Sequence, residues 1–108
     1  MSDYSPSLEA IREQVGNRES VTAVEVVPSD GTATALPSHD VPEGVSVLVM
    51  ALDSNDASSR VYVGDGSAQP APLKPEASLT FTVTNTDAIS IRAPTAGDGV
   101  AVLFESDT

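Results

Sequence analysis

The histidine of this chain, His39, stands between Ser38 and Asp40, so the three residue types of a nucleophilic triad occur side by side. In such a triad, serine, histidine and aspartate come from separate structural elements, each held in place by its own surroundings. Neighbouring residues in a loop flanked by Pro37 and Pro42 point in different directions instead. We therefore reject a triad and expect a surface loop here.

A second group of candidate residues is rich in oxygen ligands. Asp53, Asn55 and Asp56 resemble the start of a calcium-binding loop. An EF-hand also needs Gly at its sixth position and a bidentate Glu at its twelfth, but Ser58 and Gly64 occupy these positions. The pattern therefore favours a solvated turn in which the Asp and Asn side chains bond to their own backbone.

Two Gly-Asp-Gly sequences, Gly64-Asp65-Gly66 and Gly97-Asp98-Gly99, are the remaining candidates for a ligand site. No lysine or helix start follows either of them, so we interpret both as short turns and not as phosphate-binding loops. The sequence thus predicts no catalytic residue, no metal ligand and no cofactor, and we expect a protein that is not an enzyme.

The size of the chain limits its organisation. Its 108 residues fit one compact domain with a short appendage. With two Phe, two Tyr and no Trp, it has few large side chains for a core, and burial against identical copies would help. The absence of cysteine excludes disulfides and thiolate metal sites.

The charge of the chain is strongly negative, with sixteen acidic and five basic residues and a formal net charge of −11. Self-repulsion opposes compaction in dilute buffer, whereas about 1 M salt screens it. A single lysine and an excess of Asp over Glu resemble proteins of extreme halophiles. The alternative is an ordinary acidic surface that favours solubility. Since no basic stripe is present, nucleic acid is not an expected partner.

Targeting signals are also not evident in the sequence. The residues at 1–4 contain no basic or apolar leader, and no apolar run approaches the roughly eighteen residues of a membrane span. We expect a soluble protein made in the cytoplasm, with no membrane partner.

The first 19 residues predict an arm with a short helix. Ser5 before Pro6 is typical of a helix start, and Gly16-Asn17 ends the pattern, so the helix covers about residues 6–15. Its apolar residues repeat at helical spacing: Leu8, Ile11 and Val15. A helix this short is marginal alone, so the apolar residues either cap their own domain or pack against a neighbouring subunit.

From residue 20 to 108 the pattern becomes that of one all-β domain with about seven strands. We predict a small antiparallel β-sandwich or jelly-roll-like domain, preceded by the helical arm. The predicted elements are a strand at 21–27 with a hairpin to 32–36, a surface loop at 37–44, a strand at 45–52 that is central or covered by a partner chain because both of its faces are apolar, and a strand at 60–64. They continue with an edge segment at 65–77 anchored by Leu73, an alternating strand at 79–83, a hairpin joining 89–91 to 100–104, and a fraying end at 105–108.

Four segments in this order resemble small β-sandwich structural proteins of tailed viruses, and the likeness spans roughly residues 45–104. One difference is that Pro75-Glu76-Ala77 stands where Pro-Gly-Glu is usual. The segments are Val61-Tyr62-Val63-Gly64-Asp65, Pro72-Leu73-Lys74-Pro75, Asp87-Ala88-Ile89-Ser90-Ile91 and Gly99-Val100-Ala101-Val102-Leu103.

The resemblance implies a non-enzymatic virion protein, a capsid decoration or vertex protein of a tailed virus. Taken with the acidic composition, it points to a virus of a halophilic archaeon. The expected partners are other copies of the chain, as a homotrimer first and a pentamer second, and the major capsid protein. Assembly would take place in the host cytoplasm. Alternatives are a tail or baseplate component, or a β-sandwich binding module for carbohydrate or a cell surface.

Overall fold

The computed structural model describes residues 20–106, which fold into eight β-strands and one 3-10 turn at Thr86–Ala88. The predicted helix at 6–15 and the last two residues lie outside this range. The strands are β1 (Ser20–Val26), β2 (Thr34–Ala35), β3 (Val47–Ala51), β4 (Val61–Gly64), β5 (Ala71–Leu73), β6 (Ser78–Phe81), β7 (Ser90–Arg92) and β8 (Val100–Ser106).

The strands form two four-stranded sheets. The first sheet has the order β1-β8-β3-β6 and the second has the order β2-β7-β4-β5. Every pairing is antiparallel. The all-β prediction is therefore confirmed, as is the prediction that the strand at 45–52 is central, because β3 lies between β8 and β6.

The two sheets follow a simple pairing rule in which the first strand pairs with the last. β1 pairs with β8, β2 with β7, β3 with β6, and β4 with β5. The first and third of these pairs belong to the first sheet, and the other two belong to the second sheet. Consecutive strands therefore lie in opposite sheets, except for β4 and β5.

Both predicted hairpins are wrong for this reason. β1 does not pair with β2, and β7 does not pair with β8, since residues 27–33 and 93–99 carry the chain from one sheet to the other. Each segment is longer than the roughly two to five residues of a hairpin loop. Gly99 ends the second crossing where a Cβ atom would overlap the carbonyl oxygen of Val26, so the crossing requires glycine there.

One hydrophobic core receives side chains from both sheets. In β3, Val47, Val49 and Ala51 are fully buried, whereas the alternate residues Leu48 and Met50 stay partly exposed. The second sheet contributes its own inward-facing residues to the same core: Val61, Val63, Leu73 and Ile91. Leu73 is only 4% exposed, which confirms it as the anchor of the edge segment.

The end of β8 differs from the prediction that residues 105–108 fray. Glu105 and Ser106 continue the strand opposite Val21 and Ser20. The hydroxyl oxygens of Ser20 and Ser106 are 2.9 Å apart and hydrogen-bonded. Because β1 provides a full-length partner, β8 stays paired to Ser106, and both ends of the described chain meet at one end of the first sheet.

A tight turn at Lys74–Ala77 connects the second sheet back to the first. The Ala77 N–H donates to the Lys74 carbonyl at 2.9 Å, and the Glu76 N–H donates to the Ala51 carbonyl at 3.0 Å. Pro75 and Glu76 are the two central residues, and Glu76 has a φ of 72°. These features define a type II turn, whose third position is ordinarily glycine.

Candidate interaction surface

The structure separates the three residues of the rejected triad. The Ser38 hydroxyl donates to Oδ1 of Asn85 at 3.2 Å, and Nδ2 of Asn85 donates to the Asp40 carboxylate at 3.1 Å. The His39 ring instead lies near Phe104, with ring centroids 6.4 Å apart. Since Ser38 and Asp40 are both hydrogen-bonded to Asn85, these side chains hold the loop in place and do not form a triad.

His39 also lines a groove of about 350 Å³ beside β1. This volume is at the lower end of the range for small-molecule sites. The lining mixes polar and apolar side chains from the loop and from the first sheet: Thr22, His39, Asp40, Val41, Pro42, Phe104 and Ser106. The groove is thus a secondary candidate for a small ligand.

In the oxygen-rich segment that follows β3, the side chains of Asn55 and Asp56 form hydrogen bonds within the protein. The Asp56 carboxylate accepts from the backbone N–H of Ser58 at 2.8 Å and from its hydroxyl at 2.7 Å, which confirms the predicted turn. Asn55 differs from the expectation, because its buried amide bonds to both the N–H and the C=O of Gly99, each at 2.9 Å. Its oxygen is therefore occupied by the N–H of Gly99.

Asp98 also links the same two loops by hydrogen bonds. Its carboxylate, only 4% exposed, accepts from the Asp56 N–H at 3.0 Å and from the Ser59 hydroxyl. Within residues 20–106, no group of three or more His, Cys, Asp or Glu side chains is placed to hold a metal ion. We interpret Asn55 and Asp98 as a clasp between the loop after β3 and the crossing before β8.

Three exposed turns share one hydrogen-bonding pattern, in which an Asp carboxylate accepts from the residue two positions later. The pKa of Asp30 is lowered mainly by the hydroxyl of Thr32 and then by its N–H. The hydroxyls of Ser58 and Ser67 have the same effect on the pKa of Asp56 and Asp65. These hydrogen bonds stabilise the ionised carboxylates. The groups that lower the three pKa values are hydroxyls and backbone N–H groups, and not a second acidic or basic side chain.

Tyr62 is the aromatic residue that a carbohydrate site on the second sheet would need. Its side chain is partly exposed, but the guanidinium carbon of Arg92 lies 4.3 Å from the ring centroid. A ring face that is covered by its own arginine is not free to stack on a sugar. The other tyrosine, Tyr4, lies outside the described residues.

The outer side of the first sheet is the most distinctive surface in the described part of the chain. The register places Ala23, Leu103 and Leu48 in one row across β1, β8 and β3, and places Ala101 and Met50 in the next row. The second sheet packs on the opposite side of these strands, and residues 20–106 contain no element for a third layer. We call these five residues the outer apolar face.

The outer apolar face carries a shallow groove and is bordered by acidic residues. A groove of about 330 Å³ runs along it between β1 and β8. Val21, at its edge, is 62% exposed. Glu25 and Glu105 are the charged residues at the outward positions of the four strands, and no lysine or arginine stands at these positions. The surface therefore favours an apolar partner that carries positive charge at its sides.

One strand of this surface could be predicted from its residue pattern, and the other two could not. Both faces of the 45–52 segment are apolar, which already indicated a central strand or one covered by a partner chain. The contribution of β1 and β8 was missed because both were expected in hairpins. The alternation of Ala101 and Leu103 with buried Val100 and Val102 was the available signal.

No protein-family model, curated protein or solved structure matches this chain. None of the helical residues in the described range forms a segment long and apolar enough to cross a membrane. The assignment of function therefore depends on the fold and on the outer apolar face.

Proposed function

We propose that this chain is a non-enzymatic virion structural protein, a capsid decoration or vertex protein of a tailed virus that infects a halophilic archaeon. In this proposal the described residues form a rigid jelly roll. Copies of the chain associate with one another and with the major capsid protein, and the acidic exterior keeps the particles soluble in brine. A tail or baseplate position is the alternative within the same class.

The strand order supports the jelly roll. The first strand pairs with the last, the second with the seventh, the third with the sixth and the fourth with the fifth. This order arises when one long antiparallel hairpin folds over itself into two sheets. Eight strands in two such sheets are typical of viral capsid and lectin domains. Fold alone does not determine function, so a surface feature has to distinguish these classes.

The outer apolar face is the observation that carries the proposal. Leu48, Met50 and Leu103 lie side by side on a chain whose net charge is −11. An apolar surface of this kind, bordered by polar residues, is typical of a protein contact. A structural protein that works by association needs such a contact, and an outer layer with few charged residues is poorly suited to recognising a polar ligand.

Association would follow from repetition of a modest contact. The face of one copy and the N-terminal arm of another each contribute apolar area, and a closed ring repeats that contact. Attachment at several points to a symmetric shell multiplies a weak affinity. A homotrimer is the first choice because it matches a local three-fold axis of a capsid, and a pentamer at the vertices is the second.

Quantitative mass spectrometry of purified particles tests the proposal. The measured quantity is the molar ratio of this chain to the major capsid protein. A near-equal ratio supports a decoration protein that covers the shell, and a few dozen copies support a vertex or tail position. Absence of the chain from particles that are pure and intact overturns the proposal.

A binding module is the second candidate, and the groove beside His39 is the observation that favours it. Lectin domains share the proposed fold, and the groove combines the His39 imidazole with the Phe104 ring. Titration with mono- and oligosaccharides, followed through the His39 ring signals by NMR, tests it. Saturable shifts of those signals would support the module, and unchanged signals would oppose it.

A further inference from the structure

We propose that the open edge of β6 binds the same edge of a second copy, so that two first sheets join into one antiparallel sheet across a two-fold axis. The occupant of the edge is therefore a second β6 (Ser78–Phe81). The contact concerns the purified chain, and the inference rests on the proposed function only for its use in the particle. It adds a two-fold contact to the ring of copies proposed above.

The backbone of β6 has a partner on one side only. β6 pairs with β3 and is the last strand of the first sheet. The Ala51 N–H donates to the Ala77 carbonyl at 2.9 Å, which directs the Ala77 carbonyl towards β3. Bonding directions alternate along an antiparallel strand, so Leu79 also bonds towards β3, whereas the N–H and C=O groups of Ser78 and Thr80 are directed away from it. Among the described residues, no strand pairs with this edge.

The other three sheet edges are protected in ways that β6 is not. Natural proteins block exposed edges with very short strands, proline or charge. β2 is only two residues long, β5 has Pro72 at its centre, and β1 carries Glu25. β6 contains no proline, glycine or charged residue. An edge that is left open in this way is suited to pairing with another strand.

Charge identifies a second copy as the occupant. Residues 77–86 form the longest uncharged run of the chain. Since each copy has a net charge of −11, two copies approach one another most easily where neither carries an acidic side chain. A two-fold contact through β6 meets this condition for both partners, because the same strand serves each of them. A basic partner would find no charge on β6 to complement.

The directions of the backbone groups determine the register. One register pairs both edge-directed residues within the bounds of β6, with Ser78 of each copy opposite Thr80 of the other. These two pairs form about four backbone hydrogen bonds between the copies. Leu79 then lies on the two-fold axis opposite its own counterpart, as a non-hydrogen-bonded pair with Cα atoms about 4.5 Å apart.

The inward side chains support the same register. Leu79 and Phe81 pack against the core but stay half-buried, as does Ala77 just before the strand. In the paired sheet, Leu79 lies against Leu79 and Ala77 lies against Phe81 on the inner side. Apolar neighbours would thus cover the area that these residues still expose, which favours association.

The outward side chains connect the contact to the proposed function. Ser78 lies opposite Met50 and Thr80 lies opposite Leu48 in the first sheet. The joined sheet therefore presents the outer apolar faces of both copies on the same side, with a strip of hydroxyl groups between them. Two attachment points on one pair raise the strength of binding to a symmetric shell. A two-fold contact of this kind would link neighbouring rings in the particle.

A single engineered cysteine tests the contact, because the natural chain contains none. In Leu79→Cys, the two cysteines meet across the axis at a Cα separation within the roughly 4.4–6.8 Å that a disulfide requires. The matched control is Val83→Cys, since Val83 is also half-buried against the same core. Its two copies would lie about eight positions apart along the paired strands, or about 26 Å.

Both cysteine variants are oxidised in about 2 M KCl, where repulsion between the acidic copies is screened. We expect Leu79→Cys to form a covalent dimer at least about tenfold faster than Val83→Cys, because only the first pair meets the distance requirement. The same oxidation in concentrated urea should remove this difference, since it depends on the folded sheet.

A second comparison measures association without a crosslink. Thr80→Pro removes the N–H that faces the open edge and no hydrogen bond to β3, whereas Thr80→Ala keeps that N–H. Sedimentation velocity in about 2 M KCl follows each chain from about 5 to 500 μM, because a small contact associates weakly. We expect the natural chain and Thr80→Ala to shift from monomer to dimer with concentration, and Thr80→Pro to remain a monomer. Circular dichroism verifies the β fold of each variant, and the cysteine comparison does not depend on the proline variant.

Other results would overturn the inference. A natural chain that is monomeric throughout this range has no two-fold contact. A trimer or pentamer that Thr80→Pro leaves unchanged would assign association to another surface, and equal oxidation rates for Leu79→Cys and Val83→Cys would exclude the β6 pair. A chain that is abundant in particles but monomeric in solution would retain the proposed function and refute the two-fold contact alone.

Discussion

Replacement of Glu76 by glycine is expected to stabilise the protein. Glu76 has a φ of 72° at the third position of the type II turn, where a side chain with a Cβ atom is crowded. The left-handed conformation costs an ordinary L-residue about 1–2 kcal/mol. Glycine avoids this cost but loses more backbone freedom on folding, by about 0.5–1 kcal/mol. The net gain for Glu76→Gly is therefore about 0.5–1 kcal/mol.

The turn itself should survive the substitution. Both hydrogen bonds that fix it, from the Ala77 N–H to the Lys74 carbonyl and from the Glu76 N–H to the Ala51 carbonyl, use backbone atoms alone. The Glu76 side chain is exposed, so no core contact is lost. The midpoint of thermal unfolding should rise by about 2–8 °C, from the usual 4–8 °C per kcal/mol for domains of this size.

Glu76→Ala is the matched control, because it removes the same negative charge but keeps a Cβ atom. Urea denaturation in about 1 M KCl, where surface charges are screened, should show Glu76→Gly above both the natural chain and Glu76→Ala. If Glu76→Ala proves as stable as Glu76→Gly, the gain comes from the charge, and the argument from backbone strain is wrong.

Three further outcomes are expected. Asn55→Ala removes two buried hydrogen bonds and leaves the N–H and C=O of Gly99 unsatisfied, so the free energy of unfolding in urea should fall by about 2–4 kcal/mol; a loss below about 0.5 kcal/mol would contradict the clasp. The pKa values of Asp30, Asp56 and Asp65 are lower in the folded state than the ordinary value of 3.8. These carboxylates therefore stabilise the folded state at pH values above 3.8, and the stabilisation is lost as the pH falls through the lowered pKa values. The stability advantage of the natural chain over its triple Asp→Asn variant in 1 M KCl should therefore shrink in acid, and an advantage that is constant with pH would refute the shifts. Lastly, the thermal midpoint should climb between about 0.1 and 2 M KCl as screening relieves self-repulsion, and a flat response would count against a halophilic adaptation.

Local pattern was sufficient to predict most strands. The alternation at 21–27 and the doubly apolar 45–52 segment correspond to β1 and β3. Leu73 was recognised as an anchor because it is the one large apolar residue among glycines, prolines and alanines. These features depend on neighbours along the chain, which a single sequence displays directly.

Strand pairing was predicted wrongly, because it depends on contacts between distant residues. The glycine-rich segment 97–99 suggested a hairpin turn. The structure shows instead that the chain passes there from one sheet to the other, and that Gly99 lets its backbone lie close to the carbonyl oxygen of Val26. The buried position of Asn55 was missed for the same reason: its partner, Gly99, is 44 residues away.

The pairing of the first strand with the last connects the fold to the proposed mode of association. Because β1 and β8 are partners, the Ser20 and Ser106 hydroxyls meet at one end of the first sheet. The outward side chains of that face come from β1, β8 and β3, which are far apart in sequence and become neighbours only through this pairing. The topology thus creates the surface. A hairpin of β8 with β7 would have occupied one edge of β8, so β8 could not have paired with both β1 and β3, and the residues of the outer apolar face would not lie side by side.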